Sequence, residues 1–245
     1  RSEDGRLRRV DVRAARVRDP AQLGDDVHRG HRGGHPASDA QGRAQADINV
    51  ATWGEAATTM QNKLSQIPAG FSGAAVQHFL KAAGLKGKGF IQYPPVQRLT
   101  QEQSLSTQIT LPHFLTTPEA ASVNPHPMVT SLPVYVLNNL GPQLDKDRRF
   151  DMLCTPISIE ESFELHLPKD AQVLSMPKDT QQNQAGITYR SSYRQEGASI
   201  VGQRHFERAP TASGHICTVQ ELEQRRDALD AVRKDVRSTL LFKLP

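Results

Sequence analysis

Apolar and polar residues alternate most regularly in ISIEESFELHLP. Ile157, Ile159, Phe163, Leu165 and Leu167 share one parity, with Ser158, Glu160, Ser162, Glu164 and His166 on the other. That period of two is the mark of a half-buried antiparallel strand. After a turn at Pro168–Asp170, AQVLSMP reads as a second short strand. GITYRSSYRQEGASIVGQRHF then reads as a hairpin: Ile187, Tyr189, Ser191 and Tyr193 face inward, Glu196–Gly197 turns the chain, and Ser199–Phe206 returns. Upstream, Ala44, Ala46, Ile48 and Val50 mark one strand, and Leu105, Thr107, Ile109 and Leu111 mark another. LKGKGFIQYPP is a short strand broken by Pro94–Pro95, and LLFKL closes the chain as a strand.

Three stretches carry the helical period instead. Ala56, Met60, Leu64 and Ile67 recur at spacings of four and three before Pro68 and Gly70 stop the helix. Val76, Phe79, Leu80 and Ala83 form a second stripe that ends on Gly84, a suitable C-cap. Thr218 and Glu221 make a capping box, and Leu222, Leu229, Val232 and Val236 line the helix that follows. Between residues 96 and 147 a Pro-rich connection (Pro118, Pro125, Pro127, Pro133) leads to the apolar piece LPVYVLNNLG, which favours edge strands and extended crossings. The pattern predicts a mainly β chain with a few helices (α+β): an antiparallel β-sandwich of short strands with packed helices. It occupies residues 39–245, with helices near 55–67, 74–83 and 219–237.

Composition changes that picture at one end. Residues 1–38 are rich in Arg, Asp, Gly and His and hold no Phe, Tyr, Trp, Ile or Met. Such a stretch buries too little apolar surface to offset its ordering entropy, so it reads as a disordered or ill-defined basic segment. The abrupt change near Ser38 also suits a stretch translated out of frame. Over the whole chain, 37% hydrophobic and 5% aromatic residues suffice for a lean core. No apolar run approaches membrane-spanning length. The chain opens on Arg with charged residues and no apolar block, so it reads as a fragment or mature piece. A net charge of +4 would permit an acidic partner. However, the N-terminal arginines are interleaved with Asp and Glu and lack aromatics for base stacking, which argues against a nucleic-acid partner.

Candidate chemistry is sparse. His28, His31 and His35 have metal-site spacing but no Cys beside them, and unliganded loop histidines are the commoner case. The KGKG of residues 86–89 lacks the phosphate-loop pattern and reads as a solvated basic turn. Trp53, next to a strand end, reads as core or rim packing. Glu160, Glu161 and Glu164 could pair for acid–base work, but a solvated strand face is the simpler reading. Cys154 with His166, or Cys217 with His215, could form a nucleophile and base. The alternative is a disulfide between Cys154, which precedes a strand, and Cys217, which precedes the terminal helix. No catalytic, cofactor-binding or metal-ligating residue is assigned.

The runs FDMLC, ESFELHLPKDAQVLSMP, ITYRSSYRQEGASIVGQRHFER and ICTVQELEQRRDALDAVRKDVRSTLLF resemble the C-terminal part of a bacterial family. Its members are exported transglutaminase-like proteins: an N-terminal domain of unknown function, a central Cys-His-Asp core related to papain-like proteases, and a β-rich C-terminal domain. The resemblance extends back to about DAQGRAQADINV. It implies a non-catalytic accessory module whose partner is the transglutaminase-like core upstream in the same parent chain. It further implies export to the periplasm or cell envelope of a Gram-negative bacterium, no cofactor, and a structural pairing of Cys154 with Cys217. No Cys, His or Asp here matches the motifs of that core, so no catalytic residue carries over. A thiol enzyme using Cys154 or Cys217, and a nucleic-acid-binding fragment acting through residues 1–38, are the competing functions.

Overall fold

The computed structural model describes residues 11–18, 34–38, 44–82, 85–96, 102–112, 120–123, 140–167, 170–212 and 214–243. Its main feature is one nine-stranded sheet. From one edge it runs β10 (Thr180–Gln184), β11 (Ile187–Glu196), β12 (Ser199–Arg208), β8 (Ile157–His166), β1 (Asp11–Arg18), β3 (Ala44–Trp53), β5 (Glu102–Leu111) and β4 (Lys88–Gln92). β2 (Gly34–Ser38) lies off that path, paired with β3. Every pairing is antiparallel except β1 with β3. Two small sheets complete the strands: β13 (Ile216–Cys217) with β7 (Met152–Leu153), and β6 (Ala120–Val123), β14 (Leu240–Lys243) and β9 (Gln172–Ser175) in the order β6–β14–β9.

This is the mainly β, α+β class that the alternation predicts, although helices form as much of the second layer as strands do. α1 (Glu55–Ser65) and α2 (Ser72–Ala82) press Met60, Leu64, Val76 and Leu80 onto Ala46, Ile48, Ile109 and Leu111 of β3 and β5. α3 (Val219–Val236) sets Ala228, Leu229, Val232 and Val236 against Ile159, Ile187, Tyr189 and Phe206 of β8, β11 and β12. Sheet meets sheet where Leu240 and Phe242 of β14 pack with Leu165 and Ile200. Two strands fall within the first 38 residues, where the sequence predicts no regular structure. Backbone pairing with β3 and β8 satisfies their N–H and C=O groups. Val12 and Ala14, then Ala15 and Val17, alternate with arginines in β1, but the phase changes midway and the apolar residues are small, so hydropathy marks these strands weakly. The LPVYVLNNLG piece lies outside the described residues up to Asn139; Leu140 at its end is fully buried in the core under α3.

Two glycines show how closely the strands are packed. A Cβ at Gly202 would lie 2.1 Å from Cζ of Phe163, so that ring occupies the space above the β12 backbone. A Cβ at Gly89 would lie 2.1 Å from the carbonyl oxygen of Gln108. The KGKG read as a basic turn therefore runs into strand β4, where Gly89 lets the backbone approach β5.

The capping box at the start of α3 forms as the sequence predicts. The Thr218 hydroxyl accepts from the Glu221 N–H, and the Glu221 carboxylate accepts from the Thr218 N–H. That N–H holds the Glu221 carboxyl below its ordinary pKa. Thr218→Ala should cost about 1 kcal/mol of stability, measurable as a shift in the urea midpoint at unchanged slope. An unchanged midpoint would show that other contacts carry the helix start.

Candidate functional site

The inward faces of β8, β12 and β11 stack in rows across the strands. Ile159, Phe206 and Tyr189 form one row, and Glu161, Arg204 and Ser191 form the next. The row after that is Phe163, Gly202 and Tyr193. A polar row thus runs through an apolar face, and Arg204 is its centre. The Arg204 side chain is fully buried, as is that of Glu161, and Nη1 donates to Glu161 Oε2 at 2.8 Å. Its Nε donates to the Tyr193 hydroxyl at 3.0 Å and lies 3.8 Å from Asp235 Oδ2. The guanidinium also sits 5.4 Å from the Phe163 ring centre and 5.6 Å from that of Tyr193.

Asp235 comes from α3 and completes the network from above. Its Oδ2 accepts from the Tyr193 hydroxyl at 2.8 Å and from the Tyr189 hydroxyl, and its Oδ1 accepts from Thr180 at 3.5 Å. Two carboxylates and one guanidinium therefore lie in the interior; the Tyr193 phenol bridges Arg204 and Asp235, and the Tyr189 phenol donates to Asp235 alone. Low dielectric strengthens each contact and equally raises the cost of any group left unpaired. The carboxylate of Glu161 pushes the Arg204 pKa up, against the opposing effect of burial. Burial raises both tyrosines, with Asp235 nearby adding to it, and Tyr193 is pushed up to about 12.

The sign of the resulting pH dependence follows from the neutral form being favoured in the fold. A phenol with a raised folded-state pKa contributes stability that is complete below pH 10, its unfolded value, and is lost as pH climbs toward 12. Urea midpoints should fall between pH 10 and about 12. Tyr193→Phe should flatten part of that fall, and an unchanged slope in the variant would contradict it.

At the opposite end of α3 from Asp235 the two cysteines are joined. Cys154 and Cys217 form a disulfide with Cα atoms 5.6 Å apart, both fully buried with Leu222 and against Met152. It replaces the nucleophile pairs considered from sequence. The Nδ1 of His166 shares a 2.6 Å hydrogen bond with the Ser199 hydroxyl and lies 3.7 Å from Glu164, while His215 contributes its carbonyl oxygen to the Cys154 N–H. Of the three glutamates, Glu160 is exposed, Glu164 is half-buried, and Glu161 is turned into the core. No group of three or more His, Cys, Asp or Glu that could hold a metal occurs among the described residues. His28 and His31 lie outside those residues, and His35 falls in β2. Trp53 ends β3, half-buried, opposite Glu102.

Sequence reasoning put Glu161 on a solvated strand face and overlooked Arg204 and Asp235, whereas all three are buried. The signal was present: Glu161 lies between Ile159 and Phe163 at inward parity, and Arg204 lies likewise between Gly202 and Phe206. Chemically, the network has the parts of an acid–base site but no access for a reactant. The side chains of Glu161, Arg204 and Asp235 are between 0% and 3% exposed. What the arrangement does is lock α3 onto the sheet.

Comparison with known proteins adds little. No family model and no curated protein matches the chain. One solved structure it is similar to is described as a "putative protease" from Parabacteroides distasonis. The identity is 11% and the TM-score 0.39, covering 52% of this chain and 24% of that one, so most of that protein has no counterpart here. No helix among the described residues is long and apolar enough to cross a membrane.

Proposed function

We propose that the chain is a non-catalytic accessory module of an exported transglutaminase-like protein, supporting chemistry carried by a core of the same parent chain. The observation that carries this reading is the Cys154–Cys217 bond, which occupies both thiols within the core. A disulfide of this kind fits an oxidising compartment. The resemblance of the strand and turn pattern over residues 39–245 supports the family, and the polar network, sealed beneath α3, supports a structural role.

The rival reading, a thiol enzyme using Cys154 or Cys217, requires a free nucleophile with a depressed pKa. Intact protein, kept without reductant, should take up no iodoacetamide near neutral pH, as read by whole-protein mass. Rapid stoichiometric labelling of either cysteine would replace the module with the enzyme.

A further inference from the structure

The two sulfurs of the disulfide have unlike surroundings. Arg225 Nη1 donates to Cys217 Sγ at 3.0 Å, and its Nε donates to the Ala185 carbonyl at 2.8 Å. Arg225 is 4% exposed, and no carboxylate among the described residues lies within ion-pair distance of it. Burial holds its pKa below the ordinary guanidinium value; the more distant Glu221 opposes that shift and the like charge of Arg208 reinforces it. Around Cys154 the polar neighbour is Gln143, whose Oε1 is 3.9 Å from Sγ, with Met152 and Leu222 alongside. A buried cation thus stands against one sulfur only.

We propose that this disulfide is a polarised, reducible switch, in which an incoming thiolate bonds to Cys154 and Cys217 leaves as a thiolate held by Arg225. The electron balance is that of thiol–disulfide exchange. The attacking sulfur forms a mixed disulfide with Cys154 while the Cys154–Cys217 bond breaks, and its electron pair goes to Cys217. A second small thiol then attacks the external sulfur of the mixed disulfide and frees Cys154. Two thiols are oxidised to one external disulfide, and the protein gains two electrons.

The direction follows from charge. In the oxidised protein the Arg225 guanidinium faces a neutral sulfur, and only the reduced form supplies an anion to pair with it. Stabilising the reduced form makes a disulfide easier to reduce, and the thiol with the lower pKa leaves faster. Entry lies through the β7–β13 ladder, which is two residues on each strand. Its outer face exposes Leu153 at 68% and Ile216 at 46%, so little buried surface opposes local opening. Thr218, the cap of α3, follows Cys217 directly, so reduction releases the start of that helix. The proposal stands whether or not the chain belongs to a transglutaminase-like parent.

The test uses the full chain. A brief pulse of millimolar glutathione, quenched in acid and mapped by peptide mass, should place the mixed disulfide on Cys154 about tenfold more often than on Cys217. Equal distribution, preference for Cys217, or no adduct at all overturns the proposal. In glutathione redox buffers, Arg225→Gln should shift the thiol–disulfide equilibrium about tenfold toward the disulfide, equivalent to about 30 mV for a two-electron couple. Arg225→Lys should retain most of the wild-type behaviour. An Arg225→Gln equilibrium equal to wild type overturns the proposal; if that variant does not fold, the adduct map on the wild-type chain decides.

Discussion

Replacing Arg204 with Met should destabilise the protein by about 3–5 kcal/mol, read as a lowered urea midpoint. The change removes the cation that donates to Glu161 and to the Tyr193 hydroxyl, and leaves two buried carboxylates without it. Asp235 keeps its phenolic donors, but Glu161 keeps no charged partner among the described residues. Since a domain of this kind has only about 5–15 kcal/mol of net stability, much of the fold's margin would be lost. The double variant Glu161→Leu with Arg204→Met should recover most of the loss, because a buried ion pair and an apolar pair of similar volume are often close in energy. A single variant within about 1 kcal/mol of wild type would show that the interior is wetter, or its carboxylates more neutral, than the burial implies.

Loss of the disulfide should have an effect of similar size. Cys154 and Cys217 are 63 residues apart, and closing such a loop stabilises by about 4 kcal/mol on the chain-entropy account. Cys217→Ser should lower the midpoint accordingly, and reductant should lower the wild-type midpoint while leaving that of the variant unchanged. Equal sensitivity of the two proteins to reductant would mean that the bond does not contribute in solution. Because the bond lies beside the cap of α3, hydrogen exchange should quicken first in β7, β13 and the opening turn of that helix.

Much of the architecture is readable because local pattern and global packing agree. The alternation in ISIEESFELHLP, the Glu196–Gly197 turn and the Thr218–Glu221 box each specify one local geometry, and each occurs. The buried network was harder to read because alternation assigns polar residues to the solvent face by default. Glu161, Ser191 and Arg204 break parity on three neighbouring strands, but they are spread over 43 residues of sequence and meet only through strand register. In α3 the same holds for Arg225 and Asp235, which share the buried stripe with Leu222 and Val232. Strand β1 alternates only in two short runs that change phase between Ala14 and Ala15, and β2 (GHPAS) does not alternate, so their places in the sheet depend on partners far along the chain.

The hold of α3 on the sheet has a consequence for how the protein fails. β10, at the end of the nine-stranded sheet, has the sequence TQQNQ and carries neither Lys nor Pro to discourage further pairing. Both of its ends are tied to the helix: Thr180 donates to Asp235, and Gln184 Nε2 donates to the Gln224 carbonyl at 2.8 Å. When α3 lifts, that strand is free to template addition of another chain, through amide side chains suited to ladder formation. Damage at Asp235 or at the helix cap should therefore appear first as self-association and irreversible loss rather than as clean unfolding.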